Sequence, residues 1–407
     1  MSRSIQLTKH NQMATLTVNV AVCGRFHYHN YVRFLEQAGM LSKFYYAARV
    51  SADGDTLGIS KDRAVNGFLK EYAVHLHARL LGERWRVPAY SIYHGLWQRQ
   101  VLLQWSPADI LHVMLHGNSR QLMARARAEG AVVVGEPVNA HPDELRELLN
   151  EEHKRLGIEE RLVADKIEQR LSDEAMRCDW LLAGSECVRK SFVRRGFPPE
   201  QTEVIPYGVD LRHFHPLSEA EKHENASGLQ PGKFRVICVA QIVPRKGHVY
   251  LLEAWKQLRL PDAELLLIGR PSEHMKPVLA RYEGLFKHIP RVPNDKLRHY
   301  YGASDVFAMA SIEDGFGYVC AEAMGCGLPV IATVNTGGAE VLDDGINGFR
   351  VPIRSPEALA EKIALLYRDR QKLQAMGKAA EGKARSDMGW DLYAEKLCGF
   401  YRKIRRK

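Results

Sequence analysis

Residues 305–333 constrain the fold of this chain more than any other stretch. Asp305-Val306-Phe307-Ala308-Met309-Ala310 is a short apolar run, which predicts a buried strand. An acidic pair follows, Glu313-Asp314, and then Gly315-Phe316-Gly317. Residues from Tyr318 to Met324 suit a helix, and Gly325 and Gly327 suit its end. Pro329 blocks continuation, and Val330-Ile331-Ala332-Thr333 reads as the next strand. Strand, glycine loop, helix and strand make a βαβ unit, which requires a parallel sheet. The glycines predict close backbone approach to a ligand, and the helix start offers N–H groups and a positive dipole end to an anion. Glu322, one turn into the helix, is placed to accept hydrogen bonds from ribose hydroxyls. Such a site suits a ligand with both phosphate and sugar. The plain alternative is an ordinary turn whose glycines serve packing.

Residues 311–340 resemble the donor-site signature of glycosyltransferase family 4, the retaining GT-B enzymes. That pattern has two glutamates eight positions apart around Gly-Phe-Gly, then Glu-Ala-Met, a Gly-x-Pro-Val strand and a Gly-Gly-x-x-Glu turn. Glu322, Gly327, Pro329, Gly337, Gly338 and Glu340 fit it. Asp314 fills the first acidic position, with Glu313 one residue early, so either carboxylate is a candidate for the donor sugar. Lys246-Gly247 fits the family's Gly-Arg-x-x-x-x-Lys-Gly turn, whose two cations hold the diphosphate. Gln241 stands at the arginine position, and Arg245 is the candidate replacement. An ammonium there stabilises the departing diphosphate. Val204-Ile205-Pro206-Tyr207-Gly208-Val209-Asp210 resembles the linker into the second GT-B domain.

The resemblance implies two Rossmann-like α/β domains facing across a cleft, with the last helix crossing back to the first domain. The expected division is a disordered leader (1–14), an acceptor domain (15–209), a nucleotide-sugar domain (210–386), and a crossover helix with a basic tail (387–407). Strands are predicted at 14–23, 43–48, 108–113, 131–134, 180–184, 234–240, 263–269 and 289–292, and helices at 30–38, 185–194, 248–258, 356–369 and 371–384. Two charged helices are expected within 143–177, and 344–349 reads as a hairpin-like turn. Donor contacts are implied for Gly24, Gly269, Arg291, Gly315, Phe316 and the Gly317 and Tyr318 amides. His116, Glu136 and His141 follow strands of the first sheet and are candidates for the acceptor side, with Glu136 and His141 also candidates for catalysis. Asp53-Gly54-Asp55 reads as a solvent turn, not a metal-binding motif.

The net charge of +9 admits nucleic acid, an anionic membrane surface or anionic substrates as partners. An intact donor stretch favours the nucleotide-sugar reading, with a glycan or lipid-linked acceptor and no nucleic acid. Seven scattered cysteines without zinc-like spacing imply reduced thiols and a cytoplasmic setting. Arg3 and Lys9 before an apolar stretch ending in Cys23 mimic a lipoprotein signal, but Thr15, Thr17, Asn19 and Val22 do not fit one. Asn225-Ala226-Ser227 is a sequon without meaning unless the chain is secreted.

Residues 62–105 interleave apolar positions at helical spacing (Phe68, Leu69, Tyr72, Leu76, Leu80, Leu81) with basic and aromatic side chains. We read them as helices packed on the first sheet with a solvated basic face. The alternative is a membrane-interface helix. Family membership implies no metal or cofactor. The rival activities are a GT-B-like nucleotide-sugar epimerase and a non-enzymatic basic binding protein.

Overall fold

The computed structural model describes residues 16–24, 26–49, 57–81, 86–160, 162–163, 166–224 and 229–405, without the side chains of 86–91 and 223. The leader, the Asp53 turn, the Asn225 sequon and the last two residues of the basic tail lie outside these.

Thirteen strands form among the described residues. They are β1 (Val18–Ala21), β2 (Leu41–Tyr46), β3 (Ala64–Asn66), β4 (Ile110–Met114), β5 (Val132–Glu136), β6 (Trp180–Ala183) and β7 (Thr202–Val204), then β8 (Phe234–Val239), β9 (Ala263–Ile268), β10 (Lys287–Ile289), β11 (Val306–Met309), β12 (Val330–Thr333) and β13 (Gly348–Val351). The first seven make one sheet, ordered β3-β2-β1-β4-β5-β6-β7. The other six make a second, ordered β10-β9-β8-β11-β12-β13. The recorded pairings are parallel, with β11 on β8 through Val306↔Val236 and Phe307↔Ile237. Both sheets therefore start centrally and wind outward in two directions. In such sheets ligands bind beyond the carboxyl ends of the strands where the order reverses. In the second sheet that point lies between β8 and β11, so the loops after Val239 and Met309 are the ones it brings together.

Why these residues make buried strands is plain from their composition. β8 and β11 are β-branched, aromatic and apolar apart from Arg235, whose buried guanidinium pairs with Glu264 at 2.7 Å, and every residue is buried. The helix His248–Leu258 begins after Gly247, which is left-handed at φ 60. A Cβ on Gly247 would lie 1.9 Å from the Ala310 carbonyl oxygen, so only glycine lets this turn close on the end of β11. The strand predicted over 289–292 ends at Ile289, because Pro290 supplies no N–H to an edge ladder. The expected hairpin at 344–349 is a turn closed by the Gly345 N–H on the Gly348 carbonyl at 2.8 Å. It leads into β13, which pairs parallel with β12, so it joins no antiparallel strands.

Packing divides the chain into two compact units: residues 1–113, 121–133 and 398–407, and residues 114–120 and 134–397. In the first unit, Tyr401 of the last helix, Trp390–Arg405, bonds His112 Nδ1 at 2.6 Å, so the chain end rejoins β4. The same unit corrects one expectation. Phe68, Leu69, Tyr72, Leu76, Leu80 and Leu81 were expected to pack on the first sheet. Along the helix Leu69–Leu81 they are instead exposed, Tyr72 by 54% and Leu80 by 70%, while His77 is the buried position. Periodicity identified the apolar stripe but not what covers it.

Candidate active site

The second unit contains every residue discussed in this subsection except Gly24 and Phe26. After β8 the chain makes a 3-10 turn, Pro244–Lys246, whose Arg245 carbonyl accepts the Ile312 N–H at 2.8 Å. This fixes two adjacent cations beside the acidic pair that follows β11. Lys246 Nζ pairs with Asp314 Oδ2, and both side chains are 13% exposed. Arg245 Nη1 donates to Glu313 Oε2 at 2.9 Å and to Asn139 Oδ1 at 3.2 Å. The other Glu313 oxygen accepts the Ala140 N–H at 3.0 Å. Glu313 is thus fully engaged and buried, whereas Asp314 stands with the lysine. The expected turn of Arg245 toward a diphosphate is not met here, because Glu313 and Asn139 hold it. Gln241 is exposed and leaves the second-cation position unfilled.

The helix Tyr318–Gly325 starts at Gly317, left-handed at φ 73, and no side chain caps it. No residue of its first turn is acidic, and the dipole end there favours an anion. The glycines that frame this start divide into two kinds. A Cβ on Gly315 would lie 1.9 Å from the Val138 carbonyl oxygen, so Gly315 makes room for protein, not ligand. Gly337 likewise abuts Phe316 and Ser185. The packing alternative holds for these two, and the backbone turn itself needs Gly317.

Aromatic stacking braces the helix start. The Tyr318 ring lies parallel to Tyr207, at 5.3 Å and 7°, and Phe316 meets Tyr318 edge-on at 5.1 Å. Glu136, at the end of β5, is fully buried behind them. Burial first, then the Glu136 charge, drives the Tyr207 hydroxyl well above its usual pKa. Glu136 is therefore not presented to an acceptor in this conformation.

Glu322 is 9% exposed and accepts the Tyr301 hydroxyl at 3.0 Å. Burial raises its carboxyl to about 7, with the Tyr301 bond opposing. His141 is also placed differently from its expected acceptor role. Its Nδ1 accepts the Asp143 N–H at 3.3 Å, capping the helix Pro142–Leu156, and its ring packs edge-on against Phe192. Burial lowers its pKa, opposed by Asp143. The signal was present: Pro142 at the first helical position and acids after it mark a helix start. His116 is half-buried, Arg291 is exposed beyond the end of β10, and Gly24 is buried against Phe26 in the first unit. A Cβ on Gly269 would meet the Ala240 carbonyl oxygen at 1.8 Å, so this glycine joins the ends of β8 and β9. Ser185 carried a helix-cap signal in the sequence, and it caps the helix Glu186–Arg194 through the Val188 N–H, but nothing in the sequence pointed to its bond with Gly315. Among the described residues no group of three metal-capable side chains gathers.

Residues 219–383 match the family described as glycosyl transferases group 1. The match covers this segment, about two-fifths of the chain. Similar curated proteins include the D-inositol 3-phosphate glycosyltransferase of Segniliparus rotundus, 32% identical over 214 residues, which are 50% of this chain and 47% of the relative. Another is the GDP-mannose-dependent alpha-(1-6)-phosphatidylinositol monomannoside mannosyltransferase of Mycobacterium tuberculosis, 31% identical over 231 residues, 54% of this chain and 60% of the relative. The chain thus matches about half the length of these relatives. Among solved structures, the sucrose-phosphate synthase of Thermosynechococcus elongatus gives a TM-score of 0.67 at 18% identity, covering 96% of this chain and 99% of its own. Anabaena Alr3699/HepE in complex with UDP and glucose gives 0.67 at 16%, covering 95% and 100%. The fold is GT-B.

Proposed function

We propose that the protein is a glycosyltransferase that moves a sugar from a nucleoside-diphosphate sugar to a glycan, lipid-linked or small-molecule acceptor, with retention of anomeric configuration and without a metal. Cell-envelope polysaccharide or glycoconjugate synthesis is the setting we favour. One observation carries the reading: a lysine–aspartate pair stands with a helix start that no side chain caps, at the switch point of the second sheet. The relatives named for phosphatidylinositol mannoside and inositol phosphate favour an acceptor with a polyol or lipid headgroup. Residues 15–209 would serve the acceptor and 210–386 the donor.

In this reading Lys246 leaves Asp314 for the diphosphate, and Asp314 turns to the sugar hydroxyls. The Gly317 and Tyr318 amides meet the phosphate, and Glu322 meets the ribose. The leaving diphosphate takes the electron pair of the glycosidic bond, and Lys246 stabilises its charge. The acceptor hydroxyl adds on the same face and gives up its proton, for which the leaving phosphate oxygen is the nearest base. Calorimetry against UDP, GDP and ADP sugars, followed by product analysis with and without acceptors, tests this. Diphosphate release only with an acceptor is expected. Donor conversion without one would mark an epimerase instead.

Glu322 makes a pH-dependent prediction. A carboxylate accepts ribose hydroxyls best when ionised, and this one ionises near 7. Nucleotide affinity is expected to rise as pH passes upward through about 7, because the proton is lost there. Glu322→Gln should flatten that profile and weaken binding by about tenfold or more, as for a lost bond to a charged group. Titration calorimetry at several pH values reads both; an unchanged profile in the variant would remove Glu322 from the ribose site.

The exposed stripe favours a peripheral place on an anionic membrane face, in the cytoplasm. Tyr72, Leu76 and Leu80 lie on one helix face with exposed His75 and Arg79 nearby. Apolar side chains beside cations suit the interface of an acidic bilayer. No described helix is long and apolar enough to cross a membrane. Co-sedimentation with phosphatidylglycerol vesicles is expected, and Leu76→Glu with Leu80→Glu should abolish it. Equal binding to neutral vesicles by the double variant would defeat this placement.

A further inference from the structure

Two carboxylates reach from loops of the second sheet to backbone N–H groups beyond strands of the first, all inside the second compact unit. Glu340, in the turn after β12, takes the Glu186 N–H on Oε2 at 2.6 Å and the Cys187 N–H on Oε1 at 2.7 Å. These are the opening amides of the helix Glu186–Arg194, which follows β6. Beside them the Ser185 hydroxyl donates to the Gly315 carbonyl. Glu313 takes the Ala140 N–H beyond β5, and Arg245 holds its second oxygen. The glycine loop is therefore gripped from two sides. Its Gly315 carbonyl meets Ser185, and its Gly315 Cα rests on Val138.

We infer that Glu340 and Glu313 are positioning residues that fix the 313–317 loop, and with it the Asp314 carboxylate and the Gly317 helix start, for the transfer step. Each takes an N–H that a helix start or turn otherwise leaves without an acceptor, and the carboxylate charge complements the helix dipole. Both carboxylates are engaged by protein partners on both oxygens. Glu313 is thereby set apart from its neighbour Asp314, which keeps the sugar-facing role. The inference rests on the transfer reading only for its activity readout.

Amide hydrogen exchange on the full chain tests the grip without any knowledge of the sugar. Glu340→Ala should speed exchange at Glu186, Cys187 and across 313–317 by about tenfold or more, the weight of lost charge-assisted bonds. Glu340→Gln keeps one acceptor oxygen and should lie between it and wild type. Glu313→Ala should free the Ala140 amide in the same way. For kinetics with the true donor, kcat should fall by a similar factor in Glu340→Ala, while the Kd for the nucleoside diphosphate should rise by a smaller factor, since the Lys246 charge is left in place. Exchange unchanged over 313–317 in both Glu340 variants would overturn the inference, as would a loss of diphosphate affinity equal to the loss of kcat. If Glu340→Ala fails to fold, Glu340→Gln carries the same readouts. A wild type that transfers no sugar defeats the functional reading and leaves the exchange result to decide the grip.

Discussion

Lys246→Ala is expected to lower kcat by about 10²–10³, the range found when one preorganised group facing developing negative charge is removed. Lys246 is the cation placed at the glycine loop without a second carboxylate or amide partner holding it, since Arg245 is bound by Glu313 and Asn139. In the proposed reading Lys246 serves the second phosphate, so its loss should weaken nucleoside-diphosphate binding more than monophosphate binding. The single variant also leaves the Asp314 carboxylate without its partner. Lys246→Ala combined with Asp314→Asn removes that charge and keeps the fold readable by thermal melting. Steady-state kinetics with the preferred donor decide the outcome: turnover within threefold of wild type in the double variant would show that the departing diphosphate does not rely on this lysine.

Gly315→Ala carries the second large effect. The new methyl would sit 1.9 Å from the Val138 carbonyl oxygen and 3.1 Å from Asn139 Cα, both backbone atoms that no rotamer change can clear. The loop must move, and the Asp314 carboxylate and the helix start at Gly317 move with it. A misplacement near 1 Å at a reacting centre costs about 10²-fold, and overpacking adds roughly 1–3 kcal/mol of destabilisation. Gly345→Ala is the control: its φ is 77, yet nothing lies within 4 Å of the added methyl. The control should lose some stability and little activity. Equal activity losses in the two variants, measured at matched folded fractions, would mean that Gly315 acts through backbone strain and not through Val138.

The second sheet was legible because its signals are local. The run 330–333 appears as β12 at the predicted bounds, since Pro329 starts it and β-branched residues fill it. The helix 248–258 also matches at both ends, where Gly247 opens it and a left-handed Arg259 closes it. The site was less legible where its partners are distant. Glu340 and Glu186 stand 154 positions apart, and no spacing rule connects them. Gly315 read as a place for a ligand because sequence shows which residue lacks a Cβ, not what lies across from it. His141 read as an acceptor group because polar residues after strands often are. The Pro142-Asp143-Glu144 sequence behind it was the better guide, and it marks a cap. Arg245 sits one position before the lysine, and only the fold shows that Glu313 claims it.

In the Lys246–Asp314 pair each charge at the glycine loop is balanced by its neighbour. A small inorganic anion that captures Lys246 strands the aspartate, whose charge then repels the intruder at short range. A ligand that brings hydroxyls along with its phosphates replaces both halves of the pair at once. In the proposed reading, discrimination against inorganic phosphate thus begins with this pair, before any bond to the sugar is strained.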